Sequence, residues 1–114
     1  KLDDKIKVIF IEPTSTFDYG PESCVVVGKN CSIDLIKGRK YQRKIVNIYN
    51  NLSTNRSNVF VFNPNPYLCN NKNCMIFDKK NNFLYYKDND NLSVEASLFL
   101  SQFFDKWILE NFYE

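Results

Sequence analysis

Four consecutive polar residues are the part of the sequence best suited to chemistry. Asp88-Asn89-Asp90-Asn91 follows a strand-like aromatic run and leads directly into an amphipathic helical pattern. Carboxylate and amide groups before a helix are placed as they would be in a catalytic loop. The same residue types also bind nearby backbone N–H groups in turns and helix caps. From the pattern alone, this segment can be either a functional-site loop or a structural helix cap.

The absence of histidine limits the chemistry that is available. None of the 114 residues is a histidine, so a self-contained Ser–His or Cys–His enzyme is excluded. No serine lies in a Gly-x-Ser-x-Gly context, the strand-to-helix turn that exposes a nucleophile. An asparagine amide does not titrate near neutral pH, so Asn91 cannot take up a proton as an imidazole does.

The four cysteines form two close pairs, Cys24 with Cys31 and Cys69 with Cys74. Both pairs lie in segments rich in Gly, Pro and Asn, whereas buried free thiols more often occupy periodic apolar segments. We therefore predict two local disulfides and a periplasmic or extracellular location. A longer-range pairing and a four-cysteine zinc site are the alternatives, although the spacing differs from that of usual zinc motifs. With two disulfides, we predict that the chain binds neither a metal ion nor a cofactor.

The composition is that of one packed domain. Hydrophobic residues make up 44% of the chain and aromatic residues 16%, which argues against disorder throughout. The net charge of +2 and the single basic cluster, residues 37–44, do not indicate nucleic-acid binding, and we interpret the cluster as the exposed start of a helix. No apolar run approaches the ~20 residues of a membrane span.

Two apolar runs with a helical pattern between them predict a parallel βαβ unit. Residues 5–11 and 59–62 are strand candidates, and the first is apolar enough to be buried on both faces of a sheet. Residues 41–52 have apolar side chains at helical spacing. Ligands gather at the carboxyl ends of such strands, here Glu12-Pro13-Thr14 and Asn63-Pro64-Asn65.

In the remaining segments we predict two loops, a hairpin and a C-terminal helix. Residues 14–34 are predicted as a long loop around the first cysteine pair, and residues 65–73 lead through a second loop. Residues 75–78 and 83–86 predict a hairpin. Ser93 is predicted as the N-cap of a C-terminal helix. Its apolar face would consist of Val94, Leu100, Phe103, Phe104, Trp107 and Ile108.

The segment from Asp88 to Ser93, read as Asp-x-Asp-Asn-Leu-Ser, resembles the last motif of the SGNH hydrolase/acyltransferase family. In the branch fused to membrane acyltransferases this motif usually reads Asp-x-Asp-His-Leu-Ser. The strand ending at Pro13, the strand ending in Asn63-Pro64 and the loop from Cys69 to Cys74 agree with the same family less specifically. The resemblance implies an α/β fold of the SGNH or flavodoxin-like type, with a parallel sheet core and a C-terminal helix.

Position by position, the resemblance places Asp88 on the family's triad aspartate and Asn91 on its histidine. No Gly-Asp-Ser block for the nucleophile occurs in residues 1–114. The family's Gly-x-Asn block for the oxyanion donors belongs N-terminal to the part that aligns, so the tripeptide Gly28-Lys29-Asn30 is not assigned to it. We therefore expect residues 1–114 to be either a single domain or the C-terminal portion of an SGNH-like domain. The nucleophile would then be supplied by a segment upstream of Lys1.

The resemblance implies an O-acyltransferase or esterase that acts on surface polysaccharide together with a membrane acyltransferase domain. Its partners would be a glycan and an acyl group. This chain alone would be inactive because the nucleophile block is absent and Asn91 replaces the base. The alternative is a secreted binding module in which two disulfide-closed loops hold a glycan or a protein.

Overall fold

A pair of parallel strands forms one end of the molecule. The computed structural model describes residues 6–29 and 31–112. In it, β1 (Val8–Ile11) pairs in parallel with β3 (Val59–Phe62), with Val8 opposite Val59 and Ile11 opposite Phe62. Both strands consist of β-branched and aromatic residues, which suit a pleated surface. The predicted parallel pair is confirmed, and Lys5 lies outside the described residues.

The first strand is less buried than its sequence suggested. Val8, Ile9 and Phe10 are half-buried and Ile11 is 55% exposed. The prediction of burial on both faces is therefore wrong for this strand. The covering on one side comes from α3 (Arg43–Asn55), whose Tyr49 ring stacks on Phe10 with 4.5 Å between the centroids.

The crossover between the two strands contains more structure than a loop and one helix. Within the segment predicted as a loop lie α1 (Glu22–Val27) and β2 (Ser32–Asp34), so that prediction was wrong there. A short α2 (Leu35–Gly38) and a 3-10 turn (Lys40–Gln42) then lead into α3. Asp34 caps α2 by accepting hydrogen bonds from the N–H groups of Ile36 and Lys37.

Two small antiparallel pairs build the other end. β2 pairs with β4 (Asn73–Met75), and the predicted hairpin consists of β5 (Phe77–Asp78) and β6 (Phe83–Leu84). A second 3-10 turn (Asn65–Tyr67) follows β3. The hairpin turn includes Asn82 with φ of 58°, a left-handed conformation that asparagine tolerates better than most residues.

The last helix, α4 (Val94–Phe112), joins the two ends. Its first turns contribute Ala96 and Leu100 to the main core, and its later aromatic residues pack on β3. Phe62 contacts Phe104 and Trp107 at 5.1 and 5.4 Å between ring centroids. Val94 is 73% exposed, so it does not belong to the buried face that the sequence suggested.

The main core lies beneath the loops rather than within the parallel pair. Its most deeply buried side chains are Phe17, Leu68, Cys74, Ile76, Tyr86 and Ala96. These residues come from the connection after β1, the loop after β3, the β4 and hairpin region and the start of α4. The loops that lead to the strand ends are therefore held by the best-packed part of the protein.

Candidate functional site

Asp88 and Asn91 are joined by hydrogen bonds into one compact turn. Oδ1 of Asp88 accepts from the backbone N–H groups of Asp90 and Asn91 at 3.1 and 2.7 Å. Nδ2 of Asn91 donates to Oδ2 of Asp88 at 2.8 Å and to Oδ1 of Asp90 at 3.1 Å. The two candidate residues are thus in direct contact. The Asp88 carboxylate also satisfies turn amides, as short polar side chains do.

These hydrogen bonds stabilise the ionised form of Asp88. The Asn91 amide, followed by the backbone N–H groups of Asp90 and Asn91, lowers the pKa of Asp88 to about 2. A carboxylate with so low a pKa is charged at neutral pH and is a weak proton acceptor. Asp88 is therefore suited to orienting a neighbouring donor and poorly suited to acting as a general base.

The turn is attached to the core on both sides. An antiparallel bridge joins Tyr86 and Leu92, and the N–H of Lys87 donates to the carbonyl of Asn91 at 2.9 Å. From the opposite side, the N–H of Phe17 donates to the carbonyl of Asn89 at 2.8 Å. The rings of Phe17 and Tyr86 meet edge to face at 4.8 Å. Both rings are almost fully buried, so they form a fixed base for the turn.

Ser93 starts α4 as its N-cap, as predicted. Its hydroxyl oxygen accepts from the N–H of Ala96 at 3.0 Å, and the hydroxyl donates to the carbonyl of Leu84 at 2.6 Å. The backbone N–H of Ser93 also donates to the carbonyl of Tyr85. The side chain therefore caps the helix and ties its first turn to the hairpin.

A cleft of about 420 Å³ opens where the strand ends, the turn and the last helix meet. Its polar lining consists of Glu12, Thr14, Asp90, Asn91, Ser97 and Ser101. Its apolar lining consists of Ile11, Pro13, Phe62, Pro64, Leu92, Leu100 and Phe104. Asp88 is not part of this lining and is linked to the cleft through its hydrogen bonds with Asp90 and Asn91. Both strand ends contribute to the lining, the first through Glu12, Pro13 and Thr14 and the second through Pro64, whereas Asn63 and Asn65 do not line the cleft.

A buried ion pair supports one wall of the cleft. Nη2 of Arg39 donates to Oε1 of Glu12 at 3.1 Å, with both side chains mostly shielded from solvent. Gln42 extends the network, since its amide donates to the carbonyl of Thr14 and to Oγ1 of Thr16. The partner of Glu12 could not be identified from the sequence, because Arg39 belongs to the basic cluster and lies far from Glu12 along the chain.

Asn65 links the segments that follow the two parallel strands by hydrogen bonds. Its Nδ2 donates to the carbonyl of Pro13 at 3.1 Å and to Oδ1 of Asn63 at 2.8 Å. The side chain is buried, at 3% exposure. The loops after β1 and β3 are therefore held side by side by an amide that sequence reasoning placed only at a strand end.

Both cysteine pairs are disulfides, Cys24–Cys31 and Cys69–Cys74, so none of these four residues, all of which the structure describes, has a free thiol for a zinc site. Among residues 6–29 and 31–112, no three or more Cys, Asp or Glu side chains are clustered as they would be to hold a metal ion. Over the same residues, no helix is both long enough and apolar enough to cross a membrane.

These features define a class of protein. It is a mixed α/β domain with a parallel strand pair and a cleft at the carboxyl ends of those strands, closed by the polar turn before the C-terminal helix. A family model described as "SGNH domain (fused to AT3 domains)" matches residues 1–106. The chain therefore belongs to this family, and the resemblance seen in the sequence is confirmed. Searches of curated proteins and of solved structures found no match.

Proposed function

We propose that this chain is the extracytoplasmic, C-terminal part of an SGNH-like domain in an O-acyltransferase or esterase that acts on surface polysaccharide. In this proposal Asp88 is the retained triad aspartate, and Asn91 occupies the position of the lost histidine base. The observation that carries it is the 2.8 Å hydrogen bond from Nδ2 of Asn91 to Oδ2 of Asp88 beside the cleft. An imidazole N–H would make the same contact in a serine triad.

The chemistry of the pair explains why we expect little turnover. Formation of an acyl-serine requires a group that removes the hydroxyl proton and later returns it to the leaving group. Asn91 has no titrating group for this task, and Asp88, with a pKa of about 2, is a weak base. Loss of a triad member typically lowers the rate by a factor on the order of 10^4–10^6.

The family description supports a membrane acyltransferase domain as the partner, since its members are SGNH domains fused to AT3 domains. The two disulfides fit an oxidising compartment. We therefore place the domain in the periplasm or outside the cell. We therefore predict that a thiol reagent detects no reactive cysteine in the unreduced protein. Four reactive thiols with stoichiometric zinc would contradict this placement.

The catalytic part of the proposal is tested in the natural polypeptide that carries these residues. We expect its hydrolysis of p-nitrophenyl acetate to be unchanged by Asp88→Ala, because no base acts through that carboxylate. Asp90→Ala is the matched control, since Asp90 bonds the same amide and lines the cleft. Robust hydrolysis that Asp88→Ala abolishes and Asp90→Ala leaves intact would refute the loss of the base.

A binding role is the second candidate, and the cleft lining favours it. Phe104 provides aromatic surface, supported from below by the buried Phe62 ring. Asn91, Ser97 and Ser101 provide amide and hydroxyl groups. Aromatic faces combined with a few polar groups are typical of small-ligand sites. Glycan-array binding that Phe104→Ala abolishes, without any hydrolysis, would support this role. Binding that survives Phe104→Ala and Asn91→Ala would exclude the cleft as the binding site.

A further inference from the structure

Positive charge is concentrated in the middle of the chain. Every charged residue between Asp34 and Asp78 is a lysine or an arginine. This stretch includes α2, the 3-10 turn, α3 and β3, so the basic residues fall on consecutive elements. The first turn of α3 contains no acidic residue. The nearly neutral total charge therefore conceals one strongly basic segment.

A groove of about 350 Å³ lies where α2 meets α3. Its lining surface is mostly apolar, and the lining residues are Leu35, Ile36, Val46, Arg39, Arg43 and Asn47. Lys40, Tyr41 and Lys44 are exposed and lie next to or between the lining residues Arg39 and Arg43 in the sequence. We call the groove together with these three side chains the basic groove surface. It is separate from the cleft, since none of the residues that line the groove also lines the cleft.

Some cations of this segment are neutralised and others are not. Lys37 pairs with Asp18 at 2.8 Å, and Arg39 pairs with Glu12. In the described part of the chain, none of the ion pairs includes Lys40, Arg43 or Lys44. All three side chains are exposed. They can therefore bind an external anion without breaking an internal ion pair. Lys40 Nζ lies 5.7 Å from the centroid of the Tyr41 ring, a contact with an aromatic group and not with an acid.

Apolar side chains close to these cations in the sequence are also exposed. Ile36 is 66% exposed and Tyr41 is 78% exposed. These two side chains would add little to the binding free energy of a soluble polyanion. A bilayer interface would bury them, because apolar and aromatic groups enter the boundary between headgroups and acyl chains while cations meet the headgroup phosphates.

We propose that the basic groove surface docks onto a bilayer surface that contains anionic lipids. Lys40, Arg43 and Lys44 contact the lipid phosphates, and Ile36 and Tyr41 enter the interface. This proposal goes beyond the proposed function and does not depend on it, because it involves neither Asp88 nor Asn91. Its effect would be to hold the cleft-bearing domain in a defined orientation close to a membrane.

The test is co-sedimentation of the 114-residue chain with vesicles of equal parts phosphatidylglycerol and phosphatidylcholine. A basic residue near an anionic surface contributes a factor of ~5 in binding. The triple change Lys40→Gln, Arg43→Gln and Lys44→Gln is therefore expected to weaken binding by about 100-fold. Pure phosphatidylcholine vesicles should bind no better than this triple variant binds mixed vesicles.

Two control sets make the test specific. Lys79→Gln, Lys80→Gln and Lys87→Gln remove the same charge from exposed positions in other segments, and we expect less than a ~3-fold change because of screening. Ile36→Ser with Tyr41→Ser should weaken vesicle binding, whereas Leu109→Ser, at a position 60% exposed on α4, should not.

Three results would overturn the proposal. The first is the absence of binding to mixed vesicles at low salt. The second is an equal loss of binding in the two triple variants, which would indicate a response to total charge only. The third is binding to soluble polyphosphate that matches vesicle binding and does not change with Ile36→Ser and Tyr41→Ser, which would indicate a polyanion rather than a membrane.

Discussion

Replacing Asn91 by histidine would test the geometry of the turn directly. Nδ2 of asparagine and Nδ1 of histidine both lie two bonds beyond Cβ. The Nδ1–H of the introduced imidazole should therefore replace the amide that now donates to Oδ2 of Asp88 at 2.8 Å. Since the chain contains no histidine, the imidazole of Asn91→His would give the only histidine signal in an NMR spectrum.

The size of the expected pKa shift of the imidazole follows from the 2.8 Å distance between Asn91 Nδ2 and Asp88 Oδ2. Asp88 is ionised at neutral pH because its pKa is about 2, so a charged imidazole would face a full negative charge. We apply Coulomb's law over the observed distance with the dielectric constant of water. The resulting attraction between imidazolium and carboxylate raises the imidazole pKa from its ordinary ~6.5 to about 7.5. Because this pKa rises on folding, the added stability is present below pH ~6.5 and is lost as the pH rises through about 7.5.

The measurement is an NMR pH titration of Asn91→His. Asp88→Asn in the same background should return the pKa to ~6.5. Asn51→His is the matched control, since Asn51 is an exposed residue of α3, a helix without acidic residues. A pKa for Asn91→His that equals the Asn51→His value and does not respond to Asp88→Asn would refute the pairing, and with it the argument for a former acid–base pair.

Three further predictions concern stability. Ser93→Ala should lower the free energy of unfolding by about 1–2 kcal/mol in urea denaturation, because the α4 cap is lost; a loss below ~0.5 kcal/mol would contradict the capping role. Burial, together with the hydrogen bond to Asp78, raises the pKa of Tyr85 to about 12. Stability should therefore fall as the pH rises from 10 through 12, and an equally steep fall in Tyr85→Phe would contradict this cause. Gly38→Ala would place Cβ 2.8 Å from Cγ2 of Ile33 and should cost about 1–3 kcal/mol; an unchanged urea midpoint would show that Ile33 can move away.

The sequence was informative wherever the signal is local. Strand β3 follows from a short β-branched and aromatic run that ends at a proline, and α3 from apolar residues at helical spacing. The Ser93 cap follows from residue type and position, because an N-cap contact spans only three residues. The cysteine pairs follow from their short separation, since chain ends that are near in sequence meet readily.

The sequence was less informative about burial, because burial depends on what covers an element. Ile11 belongs to a continuous apolar run, yet it is more than half exposed where β1 ends. Strand β2 has only three residues, and its pairing with β4 joins segments that are far apart along the chain. A pattern of so few residues does not distinguish a strand from a loop.

The sequence by itself placed Asp88 and Asn91 in a single turn, because the hydrogen bonds of that turn are local, and the family resemblance made them the candidate pair. Only the tertiary structure decided that this turn faces the strand ends across a cleft that also includes Ser97 and Phe104. It also decided that Arg39 neutralises Glu12. The physical reason is that these contacts join residues whose separation along the chain carries no information about their distance in space, so they exist only after the core beneath the loops has packed.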